Sequence, residues 1–278
     1  MTVINTNVKS LVAQNSLTVN NRSLGKAMEQ LSTGKRINTA ADDAAGLAIS
    51  NKMTAQIRGL NQAVRNANDG ISMIQTAEGA TQEVTNMLQR MRELAVQSAN
   101  ATNTSDDRTS IQLEVTELQS EITRIADNTQ WNGMNISGGG SMTSLSAGAT
   151  FQVGANSDQV ITVAFKSIDS MAGVASALTA SVSSVTGAGL AIAAIDEAIK
   201  EVDSYRATMG AKINRLTYAA DNLSSISTNA QASRSRIMDT DYAQATTELA
   251  RTQIIQQAAT AMLAQANQAP QSVMSLLR

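Results

Sequence analysis

The chain of 278 residues contains no cysteine and no histidine. That removes Cys and His nucleophiles, zinc sites built from those ligands, and imidazole acid–base chemistry. It also removes disulfides, so the redox state of the surroundings leaves the fold untouched. Aromatic residues make up 2% of the sequence, and its large apolar rings are Trp131, Phe151 and Phe165. Ala, Leu, Ile, Val and Met must therefore do the packing, and side chains of that size fill the thin seam between paired helices better than the middle of a thick sandwich. The single proline, Pro270, lies near the C-terminal end, so nothing upstream forbids very long helices. A formal charge of −2 offers no basic surplus for phosphates, which argues against nucleic acid as a partner. No stretch approaches about eighteen consecutive apolar residues, and residues 1–30 hold no basic start followed by an apolar run. Neither a membrane span nor a signal peptide is expected, and any export would use a route that does not read those signals.

What is present is helical periodicity. A first pattern runs from about Asn5 to Leu31 and stops at Gly34, which can take the left-handed conformation that closes a helix. Asp42 and Asp43 then stand where a new helix would begin, and its pattern continues to about Asn100. Such a helix would be roughly 85 Å long at 1.5 Å per residue. Val84, Met87, Leu88, Met91, Leu94 and Ala95 form a heptad seam within it. Gly59, Gly70 and Gly79 interrupt the run, each at a cost of about 1 kcal/mol against Ala, which predicts close backbone approach or local bending there. Residues 100–104 read as a turn, and Ser105 with Asp106 and Asp107 opens a third helix whose seam is Ile111, Val115, Leu118, Ile122 and Ile125.

Helical signal ends near Asn128. Residues 131–133 carry turn chemistry and 138–140 a glycine joint, while 150–166 resembles two short strands around a turn. Ser, Thr, Ala and Gly dominate 167–187, which predicts a surface elaboration or a mobile stretch. From Gly189 a second very long helix is expected, with Ile192, Ile195, Ile199, Val202, Met209, Ile213, Leu216, Ala220 and Leu223 on its seam, ending near Met238. Asp241 and Gln244 give a capping-box-like start to a last helix. The chain reads as mainly α: a long antiparallel helical coiled-coil rod with paired terminal helices and a small β-containing insert. Its expected parts are a terminal helix (1–40), half a rod (41–137), the insert (138–187), the other half (188–238) and the second terminal helix (239–278).

The two ends share a character. Leu17, Leu24, Met28 and Leu31 recur at steps of seven, four and three, and Leu249, Ile255, Ala259, Met262 and Ala266 recur at helical spacing, both among Gln, Asn, Ser and Thr. Each stripe is too narrow to fix a helix onto a core, yet too regular for a random tail. The ends are expected to find each other and then the ends of neighbouring copies.

Three long motifs in order add a family resemblance: LSTGKRINTAADDAAGLAI at 31–49, LQRMRELAVQSAN at 88–100, and SRIMDTDYA at 235–243 followed by LAQANQ and SLLR. They resemble the N-terminal signature, the spoke segment and the C-terminal end of bacterial flagellin. The similarity covers about 1–137 and 187–278, and 138–186 carries none of it. One departure is Trp131, where the family usually has Phe before Asn-Gly. The resemblance implies a structural subunit that polymerises into the flagellar filament for swimming motility. It further implies export unfolded through the flagellar type III apparatus, an export chaperone on the C-terminal helix, assembly with filament cap and hook-junction proteins, and a secreted, extracellular location. Leu24, Met28, Leu31, Leu249, Ile254, Ile255, Met262 and Leu263 are the expected polymer and chaperone contacts.

Arg90, Leu94 and Glu114 match positions that in such flagellins contribute to recognition by a Toll-like innate immune receptor. The plainer reading makes Arg90 and Glu114 an exposed pair worth less than about 1 kcal/mol, with Leu94 in the seam. The doublets Asp42-Asp43 and Asp106-Asp107 and the pair Asp239 and Asp241 sit at helix starts, where carboxylates are expected without any metal. No cofactor is implied. Ser and Thr of 137–187 could accept O-linked glycans, as in some flagellins. A hook–filament junction protein is the nearest alternative, and a coiled-coil signalling module, which would form a dimer rather than a polymer, is the alternative from another class. No nucleophile, base and oxyanion set supports an enzyme.

Overall fold

The computed structural model describes residues 6–137 and 148–275, the side chains of 269–275 excepted. The glycine joint and the start of the insert lie outside the described residues. In chain order the elements are α1 (Val8–Thr33), α2 (Ala44–Ala99), α3 (Ser105–Asn128), β1 (Gln130–Trp131), β2 (Met134–Asn135), β3 (Ala149–Gln152), β4 (Val160–Val163), α4 (Ala172–Leu178), α5 (Val185–Met238) and α6 (Tyr242–Ser275). They form two compact units, Gln56–Ser227 and the two ends, Met1–Ala55 with Thr228–Arg278. The division falls inside α2 and α5 rather than in the loops near 40 and 239.

The central unit holds both hydrophobic clusters found among the described residues. The seam residues Val84, Leu88, Met91, Leu94 and Ala95 of α2 are buried against Ile111, Val115 and Ile122 of α3 and Ile195, Val202, Met209 and Leu216 of α5. Within this unit α2 and α5 run antiparallel, as shown by Ser227 Oγ donating to Asn61 Oδ1 at 2.8 Å and Arg92 Nε donating to Asp196 Oδ1 at 2.6 Å. The hairpin of α2 and α3 is fixed at its turn by two devices. Thr104, one residue before the expected cap, closes a capping box with Asp107. The Arg108 guanidinium covers the carbonyl end of α2, donating to Ser98 O at 2.9 Å and Asn100 O at 3.1 Å.

A two-residue turn, Asn132 and Gly133, both at positive φ, joins β1 to β2, and Trp131 pairs with Met134. Strands β3 and β4 pair antiparallel with Ala149 opposite Val163. This hairpin seats on the glycine notches of α2: a Cβ at Gly70 would lie 3.0 Å from the Phe151 ring, and one at Gly59 would lie 3.0 Å from Ala155 Cβ. Gly79 faces open space, so close approach accounts for two of the three glycines.

Segment 167–187 packs more closely than expected. It is an ordered strap on the surface of the central unit, with one face, Ile168, Met171, Val174, Ala177 and Val182, buried and the other exposed, and α4 at its centre. Side chains of three helices pin its backbone. Gln119 Nε2 donates to Ala177 O and Ala180 O, Gln112 Oε1 accepts from Val182 N, and Ser98 Oγ donates to Val182 O. Glu201 Oε2 accepts from Gly173 N and Tyr205 Oη from Lys166 N. The small residues that suggest a loop let the strap press against α5: a Cβ on Gly173 would meet Ala198 Cα and N at 2.9 Å. Helix α5 also starts at Val185, ahead of Gly189.

Two alanine substitutions should therefore act in opposite directions. Gly173→Ala should lower the thermal midpoint of the central unit, costing about 1–3 kcal/mol by overpacking against backbone. Gly79→Ala should raise it, contributing about 0.5–1 kcal/mol of helix propensity. Calorimetry of the monomer tests both, and equal or reversed shifts would contradict the packing described.

Candidate functional site

The end unit is built differently. Helix α1 starts at Asn7, whose Oδ1 accepts from Ser10 N at 3.1 Å, and stops at Gly34 at φ 69°, whose N–H closes on Gln30 O at 2.9 Å. The two linkers then zip together: Arg36 N donates to Met238 O at 2.7 Å and Thr240 N donates to Gly34 O at 3.0 Å. Asp42, 17% exposed, collects Lys26 Nζ at 2.8 Å, the N–H groups of Asn38 and Thr39 at 3.2 and 3.1 Å, and the Thr39 hydroxyl at 3.2 Å. The hydrogen bond from Lys26, followed by the two amides, holds this carboxyl well below the usual carboxylate range. Asp43 caps α2 through Gly46 N at 2.8 Å, and Asp241 caps α6 through Ala243 N at 2.9 Å. The carboxylates at these helix starts are thus used in capping and loop bonding. No group of three or more metal-ligating side chains occurs among the described residues.

Helices α1 and α6 pair antiparallel. Asn7 Nδ2 donates to Ala266 O at 2.7 Å, Asn20 Nδ2 to Thr252 O at 2.9 Å, and Gln256 Nε2 to Asn21 Oδ1 at 3.1 Å. Little apolar surface is buried between them. Along the described part of the pair the buried residues are Asn20, Ala27, Ala245 and Thr252, two of them polar. Leu24, Leu31, Leu249 and Leu263 are half-buried. The remaining expected contact residues point outward, with Ile254 and Met262 each 66% exposed and Met28 and Ile255 exposed beside them. Val8, Val12, Ile255, Ala259 and Met262 line an open groove of ≈ 750 Å³ along the pair.

Arg90 and Glu114 are brought together in the central unit, with Nη2 to Oε1 at 2.8 Å, and Arg90 also reaches Glu93 at 3.1 Å. Both partners are about half exposed. Leu94 is 2% exposed and packs in the seam. Sequence reasoning missed Asn7, Asn20 and Thr252. Asn20 was within reach, since it stands between Leu17 and Leu24 on the stripe that continues to Ala27 and Leu31, at a spacing that puts a polar group on the inner face.

A chain whose terminal helices pair through hydrogen bonds, and leave their large aliphatic side chains uncovered, has the build of a self-assembling structural subunit. The comparisons agree. Residues 4–139 match the bacterial flagellin N-terminal helical region and residues 192–277 the bacterial flagellin C-terminal helical region. A flagellin of Halalkalibacterium halodurans is 49% identical over 99% of this chain and 100% of its own length. The flagellar filament 33 kDa core protein of Treponema phagedenis is 46% identical with the same coverage. Among solved structures, Bacillus cereus flagellin superposes with a TM-score of 0.51 at 29% identity, covering 57% of this chain and 88% of that one. The chain belongs to the bacterial flagellin family, and it is a structural subunit of the flagellar filament.

The Asp42 cage has a pH signature. A carboxyl held low in the folded state contributes stability above its ordinary value and loses it only as pH falls through the lowered one. The amide resonances of Asn38 and Thr39 should therefore hold steady down through pH ~4, the ordinary carboxylate range, and move only well below it. Movement centred on the ordinary value would contradict the cage.

Proposed function

We propose that the paired ends, residues 1–40 and 239–278, are the polymerising element, and that the exposed aliphatic groove on α1 and α6 is covered by the same helices of neighbouring copies. The observation that carries this reading is the outward placement of Val12, Ile254, Ile255 and Met262 on a pair with no hydrophobic cluster of its own among the described residues. Covering each such side chain contributes up to about 1.5–3 kcal/mol, against a terminal pair that buries little alone. Contacts of this kind repeat from copy to copy without closing and generate an open helical polymer.

Before assembly the same face, Ile254, Ile255, Met262 and Leu263, suits an export chaperone that shields it. Passage unfolded through the type III apparatus, growth beneath a cap beyond the hook-junction proteins, and an extracellular location complete the proposal. Family membership supports each of these steps. A hook–filament junction role is less well supported, because the relatives of 49% and 46% identity over the whole chain are a flagellin and a flagellar filament core protein.

Deleting 241–278 should abolish filaments seen by electron microscopy while leaving the helical signal and melting transition of the central unit. Ordinary filaments from the truncated chain would overturn the assignment.

Recognition by a Toll-like receptor is proposed through the exposed Arg90 and Glu114 pair, with Leu94 shaping the surface from beneath. Purified monomer should activate receptor-reporter cells and Arg90→Ala should weaken the response. Silence from the unmodified protein would remove the proposal.

A further inference from the structure

Pro270 lies within α6 and carries no amide hydrogen. The carbonyl of Ala266, four residues earlier, therefore receives no donor from that position of its own helix. Asn7 supplies one from the opposite end of the chain, its Nδ2 donating to Ala266 O at 2.7 Å. The Oδ1 of the same amide caps α1 by accepting from Ser10 N. One side chain thus starts the first helix and fills the vacancy that the proline leaves in the last. Next to it, Ser10 Oγ donates to Asn267 Oδ1 at 2.9 Å, and further along the pair Asn20 repeats an amide-to-carbonyl bond with Thr252 in the same antiparallel register.

Beyond these amide bonds, little in the pair defines a register. No residue between Arg251 and Arg278 is charged, and none between Lys9 and Arg22, so ion pairs cannot index one helix on the other there. On the half-buried face of α6, Ala259 and Ala266 alternate with Gln256 and Leu263, and alanines offer no large knob to lock into a hole on the partner helix. A polar group that finds its partner in one alignment only is the established way for paired helices to fix theirs.

We infer that Asn7, acting through the carbonyl that Pro270 leaves free at Ala266, sets the register of the terminal helix pair and is a positioning residue for assembly. The inference rests on the reading that this pair polymerises. An alignment shifted along α6 takes the Asn7 amide away from the Ala266 carbonyl, which then has no donor from its own helix either. Neighbouring copies stacking on the groove would then meet Val12 and Met262 out of phase.

The test is seeded elongation of the full chain and of Asn7→Asp, Pro270→Ala and the double variant, with the critical concentration read by sedimentation. Asp keeps the cap on Ser10 N but has no hydrogen for Ala266, so Asn7→Asp alone should raise the critical concentration by roughly tenfold, as expected for an acceptor left unpaired. In the Pro270→Ala background residue 270 regains an N–H for Ala266 O, and the same substitution should change the critical concentration by less than about threefold. Equal penalties in both backgrounds, or no penalty in the proline background, would overturn the inference. Val12→Asp separates this from the reading beneath it: a loss of elongation there keeps the assembly surface whatever Asn7 does, whereas normal elongation removes the surface and the inference with it.

Discussion

The molecule depends on a contrast in how its helices are held. In the central unit, Leu88, Met91, Ile122, Ile195 and Leu216 interdigitate with no access to solvent, and dispersion and hydrophobic burial fix α2, α3 and α5. Between α1 and α6 that glue is almost absent, and amides of Asn7, Asn20 and Gln256 take its place. A hydrogen bond exchanged for one with water contributes only about 0.5–1.5 kcal/mol, so a pair held in this way is aligned without being strongly stabilised. The assembly proposed for the end helices follows from that imbalance. A subunit with ends that were fully satisfied alone would have no reason to stack, and one with ends that were sticky and unaligned would aggregate rather than elongate.

Within the end unit, residues 34–43 and 238–242 tie the two helices together. Gly34 terminates α1, the strand-like zipper ties Gly34 and Arg36 to Met238 and Thr240, and Asp42 holds its loop through a lysine and two amides. These bonds belong wholly to the end unit. They let the first and last helices arrive side by side although they are separated by most of the chain.

Much of this was legible. The seams of α2, α3 and α5 stand out because Val, Leu, Ile and Met recur at steps of three and four, and Gly34, Asp43 and Asp241 mark helix ends by their own chemistry. The strap at 167–187 was not read, because Ser, Ala and Gly dilute the signal, although Ile168, Met171, Val174 and Ala177 keep a three-residue step. Arg90 and Glu114 meet as an exposed pair, and Leu94 packs in the seam that its heptad position predicts. The bond from Asn7 to Ala266 was half visible: a proline inside a helix always frees a carbonyl, but no local pattern says which residue on the other end of the chain will answer it. Long-range polar pairing of this kind depends on the tertiary register, which hydrophobic periodicity does not encode.

The central claim is that the end helices are thinly stabilised in the single molecule and completed by neighbours. Amide hydrogen exchange by mass spectrometry, on peptides from residues 8–33 and 242–268 in dilute monomer and in filaments, tests it most directly. The account predicts rapid exchange in the monomer, slow exchange in the filament, and strong protection of the α2 seam in both. Equal protection of the end helices in the two states would contradict it.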